Sequence, residues 1–145
     1  EYLASILTKV GFVHPQNKLS KGYISLFTDN SGQRYPDFYH AKSKIVLDAK
    51  YKTLEHADKV SKIDRDDIHQ VISYMHVLSS NMGGVVFPSS IDSAASPIQS
   101  TLKGHGGSMS LFSIHIPTAD NWDDFLMQIK ISESRLVSCI KTVTE

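Results

Sequence analysis

Two acids and one lysine fall together if a short hairpin forms about Lys42-Ser43. A two-residue turn there pairs residues whose numbers sum to 85, which sets Asp37 opposite Asp48. Directly opposed residues on antiparallel strands have Cβ atoms roughly 4.5 to 5.5 Å apart, so both carboxylates leave one face of the sheet. Lys50, two residues beyond Asp48, shares that face by strand alternation, while Ile45, Leu47 and Ala49 point the other way. Two ionised carboxylates about 5 Å apart repel by about 3 kcal/mol at an effective dielectric of about 20, so the pair needs compensation. A divalent cation supplies it, and Mg²⁺ in particular is held by one or two carboxylates with its other positions left to water and phosphate oxygens. Such an ion lowers the pKa of a bound water and stabilises charge on a phosphate in transit, with Lys50 beside it as a point charge. The plainer alternative makes Asp48 and Lys50 the polar face of an exposed strand and Asp37 a turn residue.

The elements that must carry this hairpin are legible from periodicity. Leu3, Ile6, Leu7 and Val10 repeat at helical spacing and Gly11 follows at a C-cap position, which gives a helix over residues 1–10. Period-two runs at 22–29, 34–41, 44–51, 84–88 and 110–117 read as strands. Between them Ile68, Val71, Ile72, Met75 and Leu78 form a stripe on a helix over 66–80, with Asp66 and Asp67 in the first turn where the helix dipole favours negative charge. Trp122, Phe125, Leu126 and Ile129 open a last helix capped by Asp120, with room to continue through Leu136 to Ile140. The helical stripes read as core-facing surfaces, not as cofactor boxes. Residues 89–108, rich in Ser, Gly and Pro, read as a long flexible surface loop. The order predicts one α/β domain over 1–145, a mixed central β-sheet flanked by helices.

Composition narrows the function classes. The chain has 145 residues, 41% apolar and 21% charged, which fits a single globular domain and excludes a disordered or fibrous one. No stretch approaches the roughly 18 apolar residues of a helical membrane span. The single Cys139 allows neither an internal disulfide nor a cysteine-based zinc site, which points to a reducing, cytoplasmic setting. Fifteen Lys and Arg balance fifteen Asp and Glu, so overall charge names no partner. Among seven histidines no HExxH or zinc-finger spacing occurs; His14, His40, His69 and His76 read as exposed or satisfied side chains. Gly104-His105-Gly106-Gly107 lacks the Gly-Lys-Ser/Thr ending of a phosphate loop and reads as a turn.

Tyr35-Pro36-Asp37, ten intervening residues, then Asp48-Ala49-Lys50 resembles the PD-(D/E)xK nuclease motif. The wider succession Ile45-Val46-Leu47-Asp48-Ala49-Lys50-Tyr51-Lys52, Asp67-Ile68-His69-Gln70 with Tyr74, and Gly83-Gly84-Val85-Val86-Phe87-Pro88 resembles the nuclease domain of McrC-type subunits from modification-dependent (5-methylcytosine) restriction systems. The likeness covers Glu1 to about Pro88, and the remainder by topology. It implies a PD-(D/E)xK restriction-endonuclease-like fold and a Mg²⁺-dependent DNA endonuclease, with Mn²⁺ as substitute. It further implies that Asp37, Asp48 and the Ala49 carbonyl bind the metal, that Lys50 orients or activates the attacking water, and that Gln70 and Tyr74 support the site from the following helix. Glu1 matches the acidic residue that many members carry on the first helix. The implied partners are double-stranded DNA and a McrB-type AAA+ GTPase, with dimerisation as a route to cutting both strands. On that reading the chain is a C-terminal piece of a longer protein, and Lys42, Lys44 and Lys52 join Lys50 as candidate DNA contacts on one hairpin. Two rivals stand beside it: a catalytically silent DNA-holding subunit of the same fold, and another PD-(D/E)xK nuclease of recombination, transposition or repair.

Overall fold

Five strands form a sheet in which parallel and antiparallel pairings mix, and the computed structural model describes residues 1–15, 22–54, 59–92, 96–104 and 106–145 of the chain. Helix α1 (Tyr2–Leu7) passes into a 3-10 turn at Thr8–Val10 that ends on Gly11 at φ 93°, a left-handed position suited to glycine. A two-strand ribbon, β1 (Ile24–Ser25) with β2 (Gln33–Arg34), stands apart from the main sheet. The sheet itself runs β3 (Phe38–His40), β4 (Ile45–Ala49), β5 (Met82–Ser89), β7 (Ser108–His115), β6 (Ile98–Thr101). Strands β4, β5 and β7 pair in parallel; β3 and β6 pair antiparallel at the two edges. Helices α2 (Arg65–Leu78) and α3 (Trp122–Thr144) complete the domain.

Alternation along the strands divides the core in two. Ile45, Leu47, Val86 and Phe112 pack with Ile6, Leu7, Leu136 and Ile140 of α1 and α3. Val46, Val85 and Leu111 pack with Val71, Tyr74 and Met75 of α2 and with Val60 and Ile63. The mixed sheet flanked by helices agrees with the architecture read from the sequence.

Several boundaries differ, each for a local reason. The hairpin keeps the register summing to 85, with Phe38 opposite Leu47 and His40 opposite Ile45, but its loop holds four residues, 41–44. Lys44 takes φ 50°, a left-handed turn that the loop itself imposes. The strand at 34–41 shrinks to β3 because Pro36 has no N–H to give to a ladder. The strand at 22–29 shortens to β1, since Asn30 and Gly32 turn the chain back at positive φ. The helix at 66–80 runs from Arg65 to Leu78, capped by Asp64, which accepts from the Asp66 N–H at 2.8 Å. On α3 the cap is Asn121, not Asp120: its Oδ1 accepts from the Asp124 N–H at 2.9 Å. Strand β6 lies inside the stretch read as loop; residues 93–95 and 105 of that stretch lie outside the described residues.

Gly84 marks a close approach of β5 to the backbone of β7. A Cβ there would stand 2.9 Å from the Ser110 carbonyl oxygen and 2.9 Å from Leu47 and Phe112. Side chains can shift, but the Ser110 carbonyl belongs to the neighbouring strand and cannot. Gly84→Ala is expected to destabilise the protein by about 2 kcal/mol through overpacking, read as a lowered urea midpoint. An unchanged midpoint would mean that β5 and β7 separate freely.

Candidate active site

The site is built where β3 and β4 stop pairing. Continuing the register places Pro36 opposite Ala49, and with no N–H on Pro36 the ladder ends. Asp37 takes over: its Oδ2 accepts the Ala49 N–H at 2.8 Å. The Ala49 carbonyl points to the same edge, where the register offers it no backbone donor. On the other side of β4, the Lys50 N–H reaches the Val86 carbonyl at 2.8 Å and fixes the strand against β5. His14 braces Asp37 from behind, its Nδ1 lying 2.7 Å from the Asp37 carbonyl and its ring stacked on Phe38. Val13 pairs with Tyr39 through both backbone bonds and holds this edge.

Asp48 projects from the same face as Val46 and is only 3% exposed. Its Oδ2 accepts no hydrogen bond of good geometry, although the Lys50 ammonium stands 2.7 Å away. Lys50 Nζ also lies 2.6 Å from Asp67 Oδ1 and 3.4 Å from Gln70 Oε1. Gln70 in turn donates from Nε2 to the Tyr74 hydroxyl at 2.8 Å. Asp67, Gln70 and Tyr74 occupy one face of α2 by helical spacing, which aims that face at the end of β4.

The electrostatics follow from burial and crowding. Burial pushes the Asp48 carboxyl above the usual range; Lys50 pulls it back, and the charges of Asp37 and Asp67 push it up again. Burial by itself would lower the Lys50 ammonium, but the Asp48 and Asp67 carboxylates outweigh it and raise its pKa. In this arrangement the two carboxylates hold Lys50 as a positive charge and a hydrogen-bond donor. Burial also raises the Tyr74 hydroxyl, opposed by the Gln70 bond and helped by the charges of Asp48 and Asp37.

The structure thus brings together Asp37, Asp48, Ala49, Lys50, Gln70 and Tyr74. It does not bring Glu1 to them: Glu1 is exposed at the start of α1, on the layer across the sheet from α2. Lys42 and Lys44 sit in the hairpin loop, at the far end of β4 from Lys50. The five residues of β4 separate Lys44 from Lys50, about 20 Å from one lysine to the other, so the hairpin lysines form two groups. Lys52 is exposed beside a cavity of about 350 Å³ lined by Lys50, Asp64 and Asp67. His40 accepts the Ser43 N–H and tilts against Phe12, a structural part. Asp67 escaped the sequence reading as a site residue, because an acid in a first helical turn already has a role with the dipole. Its spacing of three before Gln70 was the available signal.

Among the described residues no group of three or more His, Cys, Asp or Glu side chains could hold a metal ion. The donors at hand are two carboxylates and one carbonyl. That set fits Mg²⁺, which takes few protein oxygens and keeps its waters, and the buried Asp48 Oδ2, which accepts no hydrogen bond of good geometry, is an oxygen such an ion could share with the Lys50 ammonium.

The chain is an α/β domain whose sheet ends in an ion-paired polar cluster faced by a helix that carries an amide and a phenol. It belongs to the McrBC 5-methylcytosine restriction system component family, whose model matches residues 1–88. Curated proteins offer no match. Among solved structures, a chain of the refined half-complex from the tetradecameric assembly of Thermococcus gammatolerans McrB AAA+ hexamers with bound McrC is similar, with a TM-score of 0.52 and 12% identity. The match covers 91% of this chain and 28% of that one, so the likeness is one of fold, and this chain spans little more than a quarter of that chain's length. No helix of the described residues is long and apolar enough to cross a membrane.

Proposed function

We propose that this chain is the nuclease domain of a McrC-type subunit: a PD-(D/E)xK, Mg²⁺-dependent endonuclease that hydrolyses phosphodiester bonds of double-stranded DNA in the cytoplasm. The observation that carries the reading is the buried Asp48 oxygen beside Lys50, with Asp37 held against Ala49 at the same strand end. Asp37, Asp48 and the Ala49 carbonyl would hold the ion. When bound, Mg²⁺ lowers the pKa of its water and neutralises charge on the phosphate. Lys50, kept charged by its neighbours, donates to the attacking water or a phosphate oxygen, and Gln70 limits where the ammonium swings. A McrB-type AAA+ GTPase fits as partner, because a ring that grips the duplex would leave this neutral domain needing only local cations such as Lys52. Two copies would cut both strands.

The test is cleavage of modified duplex DNA by the full-length protein with its GTPase partner and Mg²⁺. Loss of cutting in Asp48→Ala and Lys50→Ala supports the assignment, and undiminished cutting refutes it. A specific feature favours a second reading, a silent DNA-holding subunit: Lys50 already neutralises Asp48 without any metal. Calorimetric titration with Mn²⁺ separates the two, since a silent module binds none at the acid pair.

A further inference from the structure

Lys50 is shared between two carboxylates of different surroundings. Its Nζ is 2.7 Å from Asp48 Oδ2, whose side chain is 5% exposed, and 2.6 Å from Asp67 Oδ1, whose side chain is 29% exposed. The Asp48 oxygen in contact with the ammonium is the same buried atom that accepts no hydrogen bond. A divalent cation seated on that oxygen would meet the ammonium at once, and like charges at such range expel one another.

We propose that Asp67 is a positioning residue, the acceptor that retains the Lys50 ammonium when a divalent cation takes Asp48. This rests on the metal reading given above. The route is already built. Asp67 contacts the ammonium before any exchange, and Gln70 Oε1, one turn further along α2 and itself tied to the Tyr74 hydroxyl, waits 3.4 Å away. Leaving Asp48 therefore costs Lys50 one partner of three, and its long stem makes the swing by side-chain rotation while its backbone stays pinned to Val86. Without Asp67 the ammonium has a single carboxylate, Asp48, and competes with the cation for it.

The experiment is calorimetric titration of Mn²⁺ into the full-length protein for wild type, Asp67→Asn, Asp67→Glu, Lys50→Met and the double variant Asp67→Asn with Lys50→Met. Wild type binds, and Asp67→Asn is expected to bind about tenfold more weakly, with Asp67→Glu restoring most of the loss. In the Lys50→Met background Asp67→Asn changes nothing, because no ammonium remains to be held. Asp67 is partly exposed on the first turn of α2, and Asp67→Ser is a second probe should the amide unfold the helix. Unaltered affinity in Asp67→Asn overturns the proposal. So does a loss that persists beside Lys50→Met, which would make Asp67 a ligand or a prop. Absence of Mn²⁺ binding in wild type overturns this proposal together with the nuclease reading, whereas the other failures leave that reading standing.

Discussion

Asp48→Asn is expected to lower Mg²⁺-dependent DNA cleavage by about a thousandfold or more while leaving thermal unfolding of the protein unchanged or raised. Both halves of this result come from burial. Asp48 is 3% exposed, and the loss of water around its carboxylate is the largest influence on its ionisation. An asparagine of the same shape removes a desolvated charge that the fold must otherwise offset. Lys50 keeps Asp67 as an ionic partner, so the substitution strands no ammonium. The chemistry has no such reserve. A neutral amide holds a hard cation far less well than a carboxylate, and a loss of about 4 kcal/mol in stabilising the transition state is about three orders of magnitude in rate. Initial rates on modified duplex DNA, measured beside the unfolding temperature, decide it. Cleavage at the wild-type rate would move the chemistry elsewhere, and a large fall in unfolding temperature would make Asp48 a structural residue.

How much of this site could be read from the sequence varies residue by residue. The register of β3 and β4 was legible from centring the turn on Lys42-Ser43, because both faces of β4 are apolar, Ile45 and Leu47 toward α1 and α3 and Val46 toward α2, and alternation alone fixes little. The loop was not, since a four-residue turn gives the same register as a two-residue one, and nothing in Ala41-Lys42-Ser43-Lys44 announces a left-handed Lys44. Asp37 was placed correctly beside Asp48, yet its bond to the Ala49 N–H replaces a ladder bond that Pro36 cannot make, and alternation says nothing about such a substitution. Hydropathy assigned Ile72 to the buried stripe of α2, where the structure leaves it 36% exposed and buries Tyr74 instead. The reason is that a phenol can go inside once its hydroxyl has a partner, and Gln70 one turn earlier provides it. Strand β6 was hidden because Gln99, Ser100 and Thr101 are exposed at the sheet edge, and pairing with the free side of β7 orders them. Asp67 meets Lys50 across sixteen intervening residues, a distance at which no local pattern operates.

Lys50→Ala tests the same cluster from its positive side. It is expected to destabilise the protein by about 2 kcal/mol at neutral pH, because it leaves Asp48 buried beside two other acids with no cation. The deficit has a characteristic dependence on pH. The folded pKa of Asp48 already lies above the ordinary carboxylate value of 3.8, so this group favours the folded state most below that value and loses that contribution as pH rises through the folded pKa. Removing Lys50 deletes the two influences that pull the carboxyl down, and the folded pKa climbs further. The penalty then accumulates over a wider window above the ordinary carboxylate value and vanishes toward acid, where Asp48 is protonated in both the folded and unfolded chain. Asp67 adds little, being partly exposed and screened by solvent. Urea unfolding of wild type and variant at about pH 4 and about pH 7 reads the difference directly, with the gap between them narrowing at the lower pH. A gap of constant size would assign the loss to the packing of the lysine stem against α2, and the ion pair would then contribute nothing to the stability of the site.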